Sequence, residues 1–305
     1  MSLSLTPSSR IESLVPRDQH ATADAGEPRI AKTVDTKDHV EGGRVLVLLE
    51  VGDDLAAAAG TENEGVAACL SLAGGKRSFR FISRLMRGAA AMIVYGSSLS
   101  PFVRKVLAFA AEKGIEVELK PTGLGNKDPD FIEASPFGKM PGLRDGDFAI
   151  SDSSAIVAYM EVIKPEPNLI PTEPRARART IWFDEFADTI LFACGGKMFF
   201  NRIVAPRFLG QKGDEEIAAK AECEELPPLL DYLERTIPAS GWLVEDRLTL
   251  ADIAVAGPFA NLKHLDILVD PGRHPKLNAY VEAILARPSF APWIARETAF
   301  LGRAA

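Results

Sequence analysis

The sequence predicts a small α/β domain followed by an all-α helical bundle, and three observations predict it. A short apolar run, "MIVYG" (92–96), passes through a serine-rich turn into an amphipathic helix and then an alternating strand. A stretch with four prolines in eleven residues, "KPEPNLIPTEP" (164–174), interrupts the pattern as a linker between domains. Beyond it the apolar residues recur at helical spacing throughout.

Residues 1 to about 40 mix Ser, Pro, Asp, Arg and Thr without period and are expected to be disordered. "RVLVLLEV" (44–51) reads as a strand, but the "GDDLAAAAG" after it supplies no GxGxxG fingerprint for a nucleotide. "GGKRSFRFISRLMRGAAA" (74–91) is basic and free of acids, like an organellar targeting segment, yet it is internal. Because a regular pattern begins at Met92, residues 1–91 are expected to be a disordered upstream extension or the product of a misplaced start.

In the turn "GSSLS" (96–100), Ser100 precedes Pro101, and Val103, Val106, Leu107 and Ala110 follow at i, i+3, i+4 and i+7. Gly114 stops this helix in the usual left-handed role, and "IEVELK" makes a second strand, parallel to the first because a helix crosses between them. "NKDPDFIEASPFGKMPGL" reads as a loop, a short helix and an approach to a strand at Gly142 to Arg144. "DGDF" turns a hairpin into "FAIS", and a capped helix, "DSSAIVAYMEVI", ends near Ile163. Two parallel strands followed by a hairpin, with helices between, make a thioredoxin-like domain over 92–163. In the helical domain (175–300, with 301–305 as a tail), Phe183, Phe186 and Ile190 line one helix and Leu226, Leu229, Leu230 and Leu233 a second. A third begins at the capping box "TLAD" with Asp252 in place of the usual Glu, and Leu277, Tyr280, Val281, Ile284 and Leu285 mark a fourth.

Composition bounds the chemistry. A formal charge of -7 argues against a nucleic-acid partner. Three distant cysteines, Cys69, Cys194 and Cys223, show no CxxC spacing, and four histidines show no HExxH pattern, so neither a disulfide framework nor a metal site is expected. No apolar run approaches the roughly 18 residues of a membrane span, and no signal peptide opens the chain. A cytoplasmic location follows.

Ser100 has two readings: an N-cap whose oxygen accepts a backbone N–H ahead of a proline at the first helical position, or a catalytic hydroxyl. A serine hydrolase is a poor fit, because no GxSxG elbow surrounds it. In a thioredoxin-like frame this helix N-terminus favours a thiolate, yet the chain places no thiol there, so the thiol must arrive with a ligand.

Four segments carry a resemblance. "SPFVRKVLAFAAEKGI", "NKDPDFIEASPFGKMPGL", "SDSSAI" and "LTLADIAVA" resemble, in order and spacing, the motifs of cytosolic glutathione S-transferases of the serine type, tau-like or of a related bacterial class. The resemblance covers residues 92 to about 300. It implies a detoxifying transferase in which the Ser100 hydroxyl donates to the sulfur of glutathione, with Ser97 as the alternative under a different turn spacing. It further implies Lys127 and Lys139 at the glycine carboxylate, a cis Pro141 presenting Met140 to the cysteine backbone, and Asp152 and Ser153 at the γ-glutamyl end. The two lysines also fit plain surface positions, and Asp152 and Ser153 fit simple capping. Trp182, Glu185 and Phe186, with Asp188, are candidates for the electrophile site, or for helix packing and solvent. The sequence departs from the family in Asp for Glu at 152 and in Met-Pro-Gly for Val-Pro-Val at 140–142. A homodimer, a small hydrophobic electrophile and no metal complete the expectation. The rival functions are isomerisation, dehalogenation or peroxide reduction by the same thiolate, or a non-catalytic binding scaffold.

Overall fold

The computed structural model describes residues 44–51, 54–61 and 92–303. The chain divides into two units, 1–80 and 81–305. In the first, β1 (Arg44–Val51) and β2 (Asp54–Thr61) pair antiparallel, with Val51 opposite Asp54. The strand expected at 44–51 is there. Its partner has no counterpart in the sequence reading, because alanine carries little strand propensity. The expectations for 1–40 and 74–91, and Cys69, lie outside the described residues.

In the second unit, β3 (Met92–Gly96) and β4 (Val117–Pro121) are parallel across the crossover helix α1 (Pro101–Lys113). After the short α2 (Pro129–Ala134), β5 (Gly142–Asp145) and β6 (Phe148–Ser151) form the hairpin, and α3 (Ser153–Ile163) follows. The sheet order is β4-β3-β5-β6, with β5 antiparallel to both neighbours. Tyr95 is buried in β3, its ring 6.2 Å from Phe131 of α2, as a core residue.

The rest is helical. One long run comprises α4 (Pro174–Glu185), a π-helical turn at Phe186–Leu191, α5 (Phe192–Phe199), a second π turn at Phe200–Val204 and α6 (Ala205–Phe208). Then come α7 (Glu215–Lys220), a π turn at Ala221–Glu225, α8 (Leu226–Thr236), α9 (Leu250–Lys263), α10 (Pro275–Leu285) and α11 (Ala291–Arg303). The first π turn corrects one expectation. By widening the helix it rotates the buried face by one residue, so Leu191 is sealed at 0% exposure while Ile190 stands 40% exposed.

One large apolar core runs through both halves of this unit, with smaller clusters at Tyr95–Phe131 and Phe199–Ile203, and α1 lies in the large one between the sheet and the bundle. Its apolar stripe packs as the period predicts, but the opposite face is buried too, including Arg104, Lys105 and Lys113. Each cation has a carboxylate partner. Arg104 forks onto Glu297 of α11 through Nε (3.2 Å) and Nη2 (2.7 Å), and Lys105 sits 2.6 Å from both Asp184 and Asp188. Lys113 meets Glu161 of α3 at 2.7 Å and donates to the carbonyls of Pro165 and Pro167. The proline stretch is therefore strapped down. Glu161 also accepts from Leu169 N, and Leu250 N donates to Leu169 O.

Two measurements follow. The buried Asp252 carboxylate accepts from Leu243 N (3.0 Å) and from Thr249 N (2.9 Å) at the start of α9. Asp252→Ala strips a cap and orphans two buried N–H groups, a loss of about 3 kcal/mol in urea unfolding. Glu297 gives a pH signature: burial alone would raise its carboxyl pKa, but the Arg104 charge and the His264 hydrogen bond bring it below the ordinary value. A carboxyl depressed in the fold stabilises above its unfolded pKa of about 4.3 and loses that contribution as pH falls through the folded value. Acid titration of stability should show a fall below about pH 4.3 that is smaller in Glu297→Gln.

Candidate functional site

The sheet register assembles the site. Tyr95 pairs with Gly142, and Gly142 pairs with Ser151. One step further on, Gly96, Pro141 and Asp152 form a row at the same end of the sheet, where the α1 and α3 N-termini also lie. Gly96 permits this closeness. At its φ of 155° a Cβ would stand 2.5 Å from Val103 Cγ2 and 3.3 Å from Met140 Cβ, so the turn, the first turn of α1 and the Met140 loop converge where no side chain fits.

Ser100 occupies the N-cap position of α1 by its backbone. Its N–H donates to Ser97 O and its C=O accepts from Arg104 N, each at 2.9 Å. Its hydroxyl makes no capping hydrogen bond, which corrects the capping half of the sequence expectation. Pro101 has no N–H, so the next amides of the first turn have no side-chain cap. A half-buried hydroxyl thus sits beside an uncapped helix N-terminus with no acid in the first turn, a place where an anion is favoured. The Ser97 oxygen, by contrast, faces Leu99 N at 3.4 Å within the turn.

The Met140–Pro141 bond is cis, as the resemblance implied. Ser135 Oγ clamps this loop, donating to Lys139 O (2.5 Å) and accepting from Lys139 N (3.1 Å). Lys139 and Lys127 are both exposed. Asp152 holds a φ of 80°, strained for a residue with a side chain, and its Oδ1 caps α3 by accepting from Ser154 N (2.9 Å) and Ala155 N (3.0 Å). Ser153 is buried and its hydroxyl donates to Asp188 Oδ2 at 3.3 Å. Burial pushes the Asp188 carboxyl pKa up, and the neighbouring Lys105 opposes that rise. Ser154 and Asp184 complete this cluster, with Ser154 Oγ donating to Asp184 Oδ2 at 2.7 Å.

The aromatic candidates of the long helix are placed differently. Trp182 donates through Nε1 to the Tyr232 hydroxyl (3.1 Å), and Phe186 packs on the same ring at 5.2 Å, so both serve the contact with α8. Glu185 is exposed. Residues 182 and 186 share one helix face and 184 and 188 the opposite one, and the second face is the one that meets α1. The ring that meets the first turn of α1 is Phe192, edge-on to Phe102 at 4.5 Å. Neither Phe192 nor Lys105 stood out in the sequence. Phe192 follows a π turn that breaks the period, and Lys105 lies on the face of α1 that reads as solvent-exposed.

Two families match. The family described as "Glutathione S-transferase, N-terminal domain" covers residues 94–168, and "Glutathione S-transferase, C-terminal domain" covers 199–297. Glutathione S-transferase 3 of Zea mays is 32% identical over 219 residues, spanning 68% of this chain and 94% of the maize protein. The chain belongs to the glutathione S-transferase family. Glutathione S-transferase F6 of Arabidopsis thaliana is 30% identical, over 66% of this chain and 97% of its own. Among solved structures, glutathione transferase F7 from Populus trichocarpa superposes with a TM-score of 0.59 at 25% identity, covering 68% of this chain and 99% of the poplar one. These two glutathione transferases carry F designations, not tau. Among the described residues no helix is long and apolar enough to cross a membrane, and no cluster of three or more metal-ligating side chains occurs.

The Gly142 departure from the glutathione S-transferase pattern has a local cause. A Cβ there would lie 3.2 Å from Ala134 Cβ at the end of α2. Gly142→Val should therefore destabilise the fold by about 1–3 kcal/mol in thermal or urea unfolding, and by displacing the Met140–Pro141 loop it should weaken retention on glutathione-agarose.

Proposed function

We propose that this chain is a serine-type glutathione transferase in which the Ser100 hydroxyl donates a hydrogen bond to the sulfur of bound glutathione and holds it as a thiolate. One observation carries the reading: the Ser100 hydroxyl, free of any capping bond, stands at the uncapped N-terminus of α1. A free thiol has a pKa of about 8.5, and lowering it by two units requires roughly 3 kcal/mol. A hydrogen bond to a charged acceptor contributes about 1.5–3 kcal/mol and a helix N-terminus about 0.3–1 more, so the two together match that requirement.

Glutathione then lies along the row at the sheet end. Its cysteine backbone pairs with Met140 ahead of the cis Pro141, its glycine carboxylate faces Lys139 and Lys127, and its γ-glutamyl end reaches Asp152 and Ser153 at the α3 N-terminus. Asp152 Oδ1 is already engaged with two amides. The Asp188 carboxylate behind Ser153 is already paired with Lys105 at 2.6 Å, so Asp152 remains the carboxylate for the γ-glutamyl ammonium. The thiolate attacks a small apolar electrophile seated against Phe102 and Phe192, not against Trp182, Glu185 and Phe186. A cytoplasmic homodimer is the working assembly by family likeness.

Ser100→Ala should lower kcat/KM toward a chloronitrobenzene-type substrate by about 10²-fold or more, the scale of one lost oxyanion-type donor, while Ser97→Ala changes it far less. Unchanged turnover in Ser100→Ala would overturn the assignment.

A further inference from the structure

Asn261 of α9 is a side chain from the helical domain that touches the catalytic turn, and it is 5% exposed. Its Nδ2 donates to Leu99 O at 2.8 Å, and its Oδ1 accepts from Arg104 Nη1 at 2.8 Å. These partners fix the orientation of the amide, because a guanidinium has no acceptor and a carbonyl has no donor. Arg104 is held in turn by Gly257 O (2.9 Å) and by Glu297, whose Oε2 also meets His264 Nε2 at 2.9 Å. Arg104, Glu297 and His264 are thus the charged and titratable groups around the amide.

Leu99 O belongs to the peptide unit whose N–H is that of Ser100. That N–H donates to Ser97 O at 2.9 Å. Both poles of the peptide plane are therefore pinned, one within the turn and one by Asn261. The plane sets φ of Ser100, and φ sets the direction of its Cα–Cβ bond and so of its hydroxyl. We infer that Asn261 is a positioning residue for the reaction, aiming the Ser100 hydroxyl from the helical domain by holding the Leu99–Ser100 peptide plane. The inference rests on the reading of Ser100 as the sulfur's donor. A donor aimed wrongly loses most of its strength, since hydrogen bonds weaken steeply as the angle falls toward about 120°.

Asn261→Asp is the discriminating variant. The carboxylate has nearly the same shape and still accepts from Arg104, but it cannot donate to Leu99 O. The pH profile of kcat/KM should shift upward by about one unit, leaving about tenfold less thiolate at pH values below the transition. Amide hydrogen exchange across residues 95–103 should quicken, and the melting midpoint should change little. Asn261→Ala, which loses both bonds, should shift the profile in the same direction. An unmoved profile in both variants, with a lowered midpoint alone, would reduce Asn261 to a packing role and overturn the inference. Ser100→Ala, measured in parallel, separates the two claims. If it shifts the profile and Asn261→Asp does not, the positioning role falls and the Ser100 reading stands. A shift in Asn261→Asp with none in Ser100→Ala would overturn the Ser100 reading and, with it, the inference that Asn261 aims that hydroxyl. If neither variant moves the profile, both fall.

Discussion

Three cations buried on one helix are the constraint on which the rest of this structure depends. An ammonium or guanidinium out of water is tolerable only beside a carboxylate with its remaining hydrogen bonds satisfied. Arg104, Lys105 and Lys113 each meet that condition, with carboxylates drawn from α11, from the long helix run and from α3. Removing one partner of a buried pair costs about 3–5 kcal/mol, so the Arg104 and Lys105 contacts hold the bundle to the thioredoxin-like half in one arrangement, while Lys113 ties α1 to α3 and the proline stretch. The apolar core alone would tolerate sliding, whereas a forked guanidinium does not.

Where the cations sit also decides what the site can be. Arg104 lies one turn inside α1, so the groups that balance it reach the turn preceding that helix. Lys105 lies beside it, and the acids that balance Lys105 stand next to Ser153. Structural ion pairs and candidate ligand contacts are therefore the same residues seen from two sides. The local pKa values carry the trace of this: Asp188 is pushed up by burial, while in Glu297 the Arg104 charge and the hydrogen bonds to it overcome burial.

Much of this was legible in the sequence. The β-α-β start, the hairpin and the "TLAD" box each rest on local chemistry, and each stands where the pattern put it. The glycine at 96 and the Met140–Pro141 pair marked two of the three segments that meet at the sheet end, and Asp152–Ser153 marked the third. What stayed hidden required knowledge of what lies across a gap. Arg104 and Lys105 read as a solvent face because periodicity shows one buried stripe and does not reveal that a second layer covers the other side. For Trp182 and Phe186 the sequence leaves both an electrophile site and helix packing open, because nothing local reveals Tyr232. The π turns hid Phe192 and Leu191 by breaking the very period used to find them. For Ser100 the residue type allows a cap, a donor to sulfur, or both, and only the geometry shows its hydroxyl making no capping bond.

The strap along the proline stretch has a consequence for motion. Lys113 ties the carbonyls of Pro165 and Pro167 to the far end of α1, and Arg104 ties α9 and α11 near its beginning. Glu112, beside Lys113, is also forked by Arg287 of the helical domain, so α1 is fastened to that domain near both of its ends. Relative movement of the two halves therefore requires breaking a buried ion pair such as Arg104–Glu297, which couples them mechanically.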